Sequence, residues 1–216
     1  MAKLRVHNIA MSVDGYMAGP NQSLDNPLGE GGESLHEWVF KTKTWAEMTG
    51  EQGGEQGIDD RFMARGDEGI GATIMGRNMF GPIRGLWEDN EWKGWWGDNP
   101  PYHHPVFVLT SYAREPIPME GGTTFHFVTE GIEAALAEAT EAADGKDVRI
   151  GGGASTIQQY LKVGLVDDLH VAIVPILLGS GERLFDNLEG GPDGYELVEF
   201  ATSPSVAHVR FGPRQR

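Results

Sequence analysis

No cysteine occurs in this chain of 216 residues, which excludes disulfide bridges, a thiolate nucleophile and any cysteine-ligated metal. Positive charge is scarce as well: 17 lysines and arginines stand against 32 aspartates and glutamates, a formal net charge of -15. Such a field repels polyanions, so neither nucleic acid nor an anionic membrane surface is an expected partner. A small phosphorylated ligand is compatible with it where a few arginines are focused locally. No apolar run approaches the length of a membrane span, and the opening segment lacks the long apolar core of a signal peptide. A cytoplasmic location is therefore expected. The sequence G-x-x-x-x-G-K-[ST] is absent too, which disfavours a nucleoside-triphosphatase of that kind and leaves open a transferase that takes a sugar phosphate on a glycine turn.

What is present centres on Val148-Arg149-Ile150-Gly151-Gly152-Gly153-Ala154-Ser155-Thr156-Ile157, an apolar strand running into three glycines and then a helix. Glycines let a backbone approach a pyrophosphate closely, and the following helix aims N–H groups and a positive dipole end at the anion. The spacing differs from G-x-G-x-x-G, and a tight strand-to-helix turn that binds nothing is the other reading. Ser155 is expected to cap this helix, with Gln158 completing a capping box and Gly164 closing the far end. Ile157, Tyr160 and Leu161 form its buried stripe.

Along the chain, strands are expected near 4–12, 72–75, 106–110, 124–128, 147–150 and 168–174, with a hairpin over 195–200 and 206–211. Helices are expected over 58–65 and 130–143, the latter capped by Thr129, while Leu35, Trp38 and Val39 sit at helical spacing. Strands alternating with helices imply an α/β fold with a mainly parallel central sheet, closed by a C-terminal antiparallel hairpin, in one domain spanning 1–216. The glycine- and asparagine-rich segment 19–32 is a lid or a plain surface insertion. The tryptophan-rich segment 85–105 wants a partner: the core, a flat ligand or a second subunit. With the edge hairpin, it makes a homodimer plausible.

Ligands of such sheets lie beyond the carboxyl ends of the strands. Three ends carry suitable residues: Gly76-Arg77, Leu109-Thr110-Ser111 with Arg114, and Gly151 to Thr156. Arginines are few in this acidic chain, yet two follow strand ends. Arg77, Arg114 and Ser111 could hold the extra phosphate of a nucleotide ribose, favouring NADP over NAD, although each arginine taken singly also reads as a surface ion-pair partner.

Ile74-Met75-Gly76-Arg77-Asn78-Met79-Phe80, Val106 to Ser111, Ile150 to Ser155, and Pro175-Ile176-Leu177-Leu178-Gly179-Ser180-Gly181 follow one another in the order found in the dihydrofolate reductase-like superfamily. With Ala10-Met11-Ser12-Val13-Asp14-Gly15-Tyr16, the chain resembles the branch holding the C-terminal reductase domain of riboflavin-biosynthesis deaminase-reductases. The resemblance implies a dihydrofolate reductase-like fold and an NADPH-dependent reductase of a small pterin-, pyrimidine- or carbonyl-type molecule. It places Gly76 and Arg77 at the adenine-side phosphates, Thr110, Ser111 and Arg114 around the 2′-phosphate, and Gly152 to Thr156 at the pyrophosphate. The substrate motif Trp-x-x-Pro-x-Asp/Glu is missing, and Tyr16 stands where the riboflavin branch often carries lysine.

A hydride acceptor also needs a proton. Asp14, at the end of the first strand, is the first candidate to bind substrate or relay it, and its other reading is an Asp-Gly turn residue. His36, Glu37 and His103 follow, then Glu182. Adjacent His103 and His104 diverge, so no metal site is expected. A nucleotide-binding protein without turnover is the alternative that the missing substrate carboxylate favours.

Overall fold

In a computed structural model, residues 2–87, 91–188 and 194–214 are described. The strands are β1 (Leu4–Ser12), β2 (Tyr16–Ala18), β3 (Ile70–Gly76), β4 (Pro105–Leu109), β5 (Ile117–Pro118), β6 (Thr124–Val128), β7 (Asp147–Gly152), β8 (Asp168–Val174), β9 (Glu182–Arg183), β10 (Tyr195–Thr202) and β11 (Ala207–Pro213). The α-helices are α1 (Glu37–Phe40), α2 (Lys43–Met48), α3 (Ile58–Asp67), α4 (Arg77–Phe80), α5 (Ile132–Ala142) and α6 (Ala154–Lys162).

Nine strands form one sheet in the order β10-β11-β8-β1-β7-β3-β4-β6-β5, and β2 pairs with β9 in a small ribbon beside it. From β8 to β6 every neighbouring pair is parallel. The hairpin of β10 and β11 joins β8 antiparallel at one edge. Helices cover both faces, so β1 is buried along nearly its whole length instead of alternating. The fold is the expected mixed α/β arrangement, a mainly parallel sheet with an antiparallel hairpin at one edge. Among the described residues no helix is long and apolar enough to cross a membrane.

Three apolar clusters hold the layers together. One places Ala135 and Ala139 of α5 and Ile157, Tyr160 and Leu161 of α6 against β1, β3, β7 and β8. Burying each larger side chain there contributes about 1.5–3 kcal/mol, and the alanines let α5 lie close to the strands. A second joins Leu35, Trp38 and Val39 to α3 and the opposite sheet face. The third surrounds Phe80 and collects Trp87, Trp92 and Trp96. Of the alternatives for that tryptophan-rich segment, packing holds for Trp87 and Trp92, to both of which Phe80 stands edge-on at 5.9 and 5.5 Å, while Trp95 and Trp96 line the cleft described below. Residues 88–90 lie outside the described set.

Two expected caps are corrected. Gly153, not Ser155, is the N-cap of α6, with no side-chain cap, and the Gln158 amide donates instead to the Arg183 carbonyl at 2.7 Å. The strand runs to Gly152 and the helix starts at Ala154, which leaves no separate turn for a capping box. Likewise α5 starts at Ile132 behind Gly131, and the Thr129 amide is taken by the Glu130 carboxylate at 2.9 Å. Gly164 does close α6, with φ 70°, a left-handed conformation that suits glycine.

Candidate active-site cleft

β1 and β7 pair only from Leu4–Val148 to Val6–Ile150. Past that point β1 follows β8 out to Ser12, while β7 follows β3 to Gly152. The two central strands thus diverge at their carboxyl ends, the position where open α/β sheets bind ligands. The cleft that opens there has a volume of about 1340 Å³, room for a dinucleotide and a second molecule.

Asn8 marks the start of the opening. Its φ is 59°, a left-handed conformation asparagine tolerates better than most residues, and the β1–β8 register shifts between Val6 and Ile9. Its amide donates to His170 Nδ1 at 3.1 Å and its side-chain amide to the Met63 carbonyl at 3.1 Å, so the bulge is held from both sides. A polar residue inside the apolar run of β1 is the only sign of this in the sequence.

One wall follows β3, β4 and β7. Gly76, Arg77, Leu109, Thr110, Ser111, Gly151, Gly152, Gly153, Ala154, Ser155 and Thr156 all line the cleft, so three separate strand ends converge as expected. The glycines do different things. A Cβ on Gly76 would stand 2.4 Å from Thr156 Oγ1, so this residue lets β3 touch the start of α6. A Cβ on Gly153 would meet nothing within 4 Å, so this backbone faces open space.

Arg77 leads out of β3 over that space. Its guanidinium lies 3.6 Å from the Trp87 ring centroid, and Nη1 donates to Thr110 Oγ1 at 3.4 Å. Nε and Nη2 are buried with no hydrogen-bond partner, and burial pulls the pKa of the group below its ordinary value. Buried donors without acceptors are costly unless a ligand supplies the acceptor. Arg114 is placed differently: it donates to the Trp92 carbonyl at 2.6 Å, lies 4.9 Å from the Trp87 ring, and does not line the cleft. It supports the tryptophan on which Arg77 stacks.

The proton-relay candidates are scattered. Asp14 accepts from Ser12 Oγ at 2.5 Å, the Leu178 amide at 3.2 Å and the Gly179 amide at 2.7 Å, and does not line the cleft. The Ser12 hydroxyl, with those amides, holds its carboxyl below the usual range. An ionised carboxylate with both oxygens engaged is an acceptor, and here it ties the 175–181 loop to the end of β1. His36 does line the cleft, and burial keeps its imidazole neutral at pH 7. Glu37 is exposed and turned away from the cleft, His103 bonds the Gly121 carbonyl at 2.8 Å elsewhere, and Glu182 lies exposed on the rim.

Sequence reasoning missed the second wall, where Val39, Phe40, Trp45 and Met48 line the cleft. Their spacing reads as core, and only the divergence of β1 from β7 leaves Phe40 facing out.

Over residues 5–202 the chain matches the model of the RibD C-terminal domain. It belongs to that family. Among curated relatives, the uncharacterized protein YwjB of Bacillus subtilis (strain 168) is 24% identical over 190 residues, covering 87% of this chain and 86% of its own. A second from that organism, the uncharacterized protein YyaP, is 46% identical over 41 residues, covering 19% of this chain and 22% of its own. Similar solved structures include a putative riboflavin biosynthesis protein from Shewanella sp. PV-4, with TM-score 0.63, 24% identity and both chains fully covered. Dihydrofolate reductase from Enterococcus faecalis, complexed with NADP(H), aligns with TM-score 0.55 at 13% identity, over 99% of this chain and 97% of its own. The deaminase/reductase of Thermotoga maritima aligns with TM-score 0.56 at 12% identity, over 99% of this chain and 57% of its own. At these identities the likeness is one of fold, and the fold is reductase-like.

Proposed function

We propose that the protein is an NADPH-dependent reductase of a small molecule. The observation that carries this reading is the pairing of an open glycine backbone at Gly153 with the partnerless buried donors of Arg77, on one wall of one cleft. These residues fit the cofactor. Gly151 to Thr156 would take the pyrophosphate at the start of α6, where no side-chain cap competes with an anion. Arg77, with Thr110 and Ser111 beside it, would take the ribose phosphate by fork-shaped contacts.

The coenzyme, when bound, supplies the hydride. The chain aligns donor and acceptor: Asn8, Ile9 and Ala10 form the floor between the two walls. Gln22, Asp25, Asn26, Pro27 and Leu28 add to the lining, and Gln22 accepts a 3.4 Å bond from the Asn78 amide. Because Asp14 is committed as an acceptor and His36 is held neutral, the proton comes from water admitted to the cleft.

Gly153→Ala tests the cradle. With φ -80° at Gly153 and no neighbour within 4 Å of the added methyl, the variant is expected to melt like the parent. NADPH affinity is expected to fall by about 10- to 100-fold, since displacing a charged hydrogen bond costs about 1.5–3 kcal/mol. Calorimetric titration reads it, and unchanged affinity overturns the assignment. The commitment of Asp14 also favours a second reading, an NADP(H)-binding protein without turnover. Tight NADPH binding with no loss of its absorbance against pterins, flavin precursors or quinones would select that reading.

A further inference from the structure

We propose that the α1–α2 wall of the cleft binds a neutral, planar aromatic acceptor of the quinone class, with no phosphate group; this deepens the reductase reading above and rests on it. The two walls differ in chemistry. Both carry rings, since Trp95 and Trp96, bonded to the Met79 carbonyl, and Tyr112 line the side over β3 and β4, but that side also offers backbone, hydroxyls and Arg77, whereas the wall beside β1 offers only the uncharged Phe40, Trp45 and Met48. Phe40 is 43% exposed although it borders a concave site, its ring lies 5.2 Å from that of Trp45, and His36 stacks on it at 6.5 Å with an interplanar angle of 27°. Exposed rings in a cleft are matched by a flat ligand that covers them.

Charge narrows the class. Among the described lining residues the cations are Arg77 and Arg84, close enough for Arg84 to act on Arg77 electrostatically, both at α4 and the turn after it. The α1–α2 wall has none: Lys43 is paired outward with Glu47 at 3.1 Å and does not line the cleft, while burial keeps His36 uncharged. The acids Asp25 and Glu33 line the cleft on this side, so a phosphate dianion here would meet like charge without a counter-ion. Both acids are exposed, and no buried carboxylate lines the cleft among the described residues, so an aminopyrimidine ring would find neutral acceptors alone, among them the partnerless amide oxygens of Asn8 and Asn78, in place of an ionised anchor. A ring with carbonyl acceptors and no N–H donors makes neither demand. The overall change balances as quinone plus NADPH plus one proton from water giving hydroquinone plus NADP⁺: one hydride, two electrons.

The test is binding, read by tryptophan fluorescence and by calorimetry, with 1,4-naphthoquinone, 7,8-dihydrobiopterin and uridine 5′-monophosphate as probes. The chain has no cysteine, so thiol addition of the quinone does not confuse the titration. Naphthoquinone is expected to bind tightest without coenzyme, and Phe40→Ala to weaken it by about tenfold, the scale of one lost aromatic contact. NADPH affinity of that variant, set by the other wall, is expected to stay within about twofold, which also reports an intact fold. Tighter binding of either other probe, or equal naphthoquinone affinity in Phe40→Ala, overturns the proposal. Failure of NADPH to bind the parent chain would instead overturn the reductase reading, because the naphthoquinone titration needs no coenzyme.

Discussion

Arg77→Ala is expected to weaken NADPH binding by about 10- to 100-fold while changing NADH affinity by only a few-fold, since a hydrogen bond to a charged group is worth about 1.5–3 kcal/mol. The guanidinium is held in place before any ligand arrives, by Trp87 at 3.6 Å and by the Thr110 hydroxyl at 3.4 Å. Little entropy is then lost on binding, and the donors Nε and Nη2 gain the acceptor they lack. Lysine at this position restores charge but not the two-pronged geometry, so Arg77→Lys is expected to recover only part of the loss. Equal losses for NADPH and NADH would place Arg77 away from the ribose phosphate. Arg114→Ala is expected to act otherwise: its contacts include the Trp92 carbonyl and the Trp87, Phe80 and Phe127 rings, so thermal stability falls, and both coenzymes weaken together through the loosened tryptophan.

Acidification from pH 7 to pH 5 is expected to lower folding stability by about 2 kcal/mol through His170 alone. The Asn8 amide donates to His170 Nδ1, so the neutral ring carries its proton on Nε2, which lies 3.0 Å from His208 Nδ1. His208 Nε2 is then the protonated nitrogen, 2.8 Å from Asp59 Oδ1. Phe62 stacks on both rings, at 4.6 and 4.1 Å. Burial, reinforced by the neighbouring His208 and His7 and by Arg65, drives the pKa of His170 down to about 2, from 6.5 in an unfolded chain. The unfolded state therefore binds the extra proton first, and stability present above pH 6.5 is lost as the pH falls below it. Burial also lowers His7 and His208, and these add to the effect in the same direction. Asp168, held at about 2 against an ordinary 3.8, contributes its loss only at still lower pH. Denaturant melts at the two pH values measure the difference, and a flat profile would show that the buried histidines are not held neutral. Because His170 holds the Asn8 bulge, acid is expected to disturb the cleft floor before the remote edge of the sheet.

Much of the architecture was legible in the linear order of residues. The continuous apolar run of β4, the strand β8 and the stripe on α6 each fall where their local pattern places them, because strand and helix periods are set by neighbours a few positions away. The short strands β2, β5 and β9 were not legible, since two or three residues carry no period. Capping at Ser155 and Thr129 was misread for a related reason: a side chain's competence to cap is local, but where the helix starts is decided by how far the preceding segment is drawn into the fold.

The sequence by itself determined the strand ends, the bare glycine backbone and the scarcity of arginines that makes Arg77 conspicuous, all of them properties of adjacent residues. Tertiary structure alone decided that Asp14 is spent on the amide of Gly179, 165 positions away, that Arg114 turns into the tryptophans, and that Phe40 and Trp45 face a cleft. Those outcomes hang on where β1 leaves β7, and that divergence depends on a bulge held by a histidine from another strand. Pairings over such separations leave no trace in the local pattern of either partner.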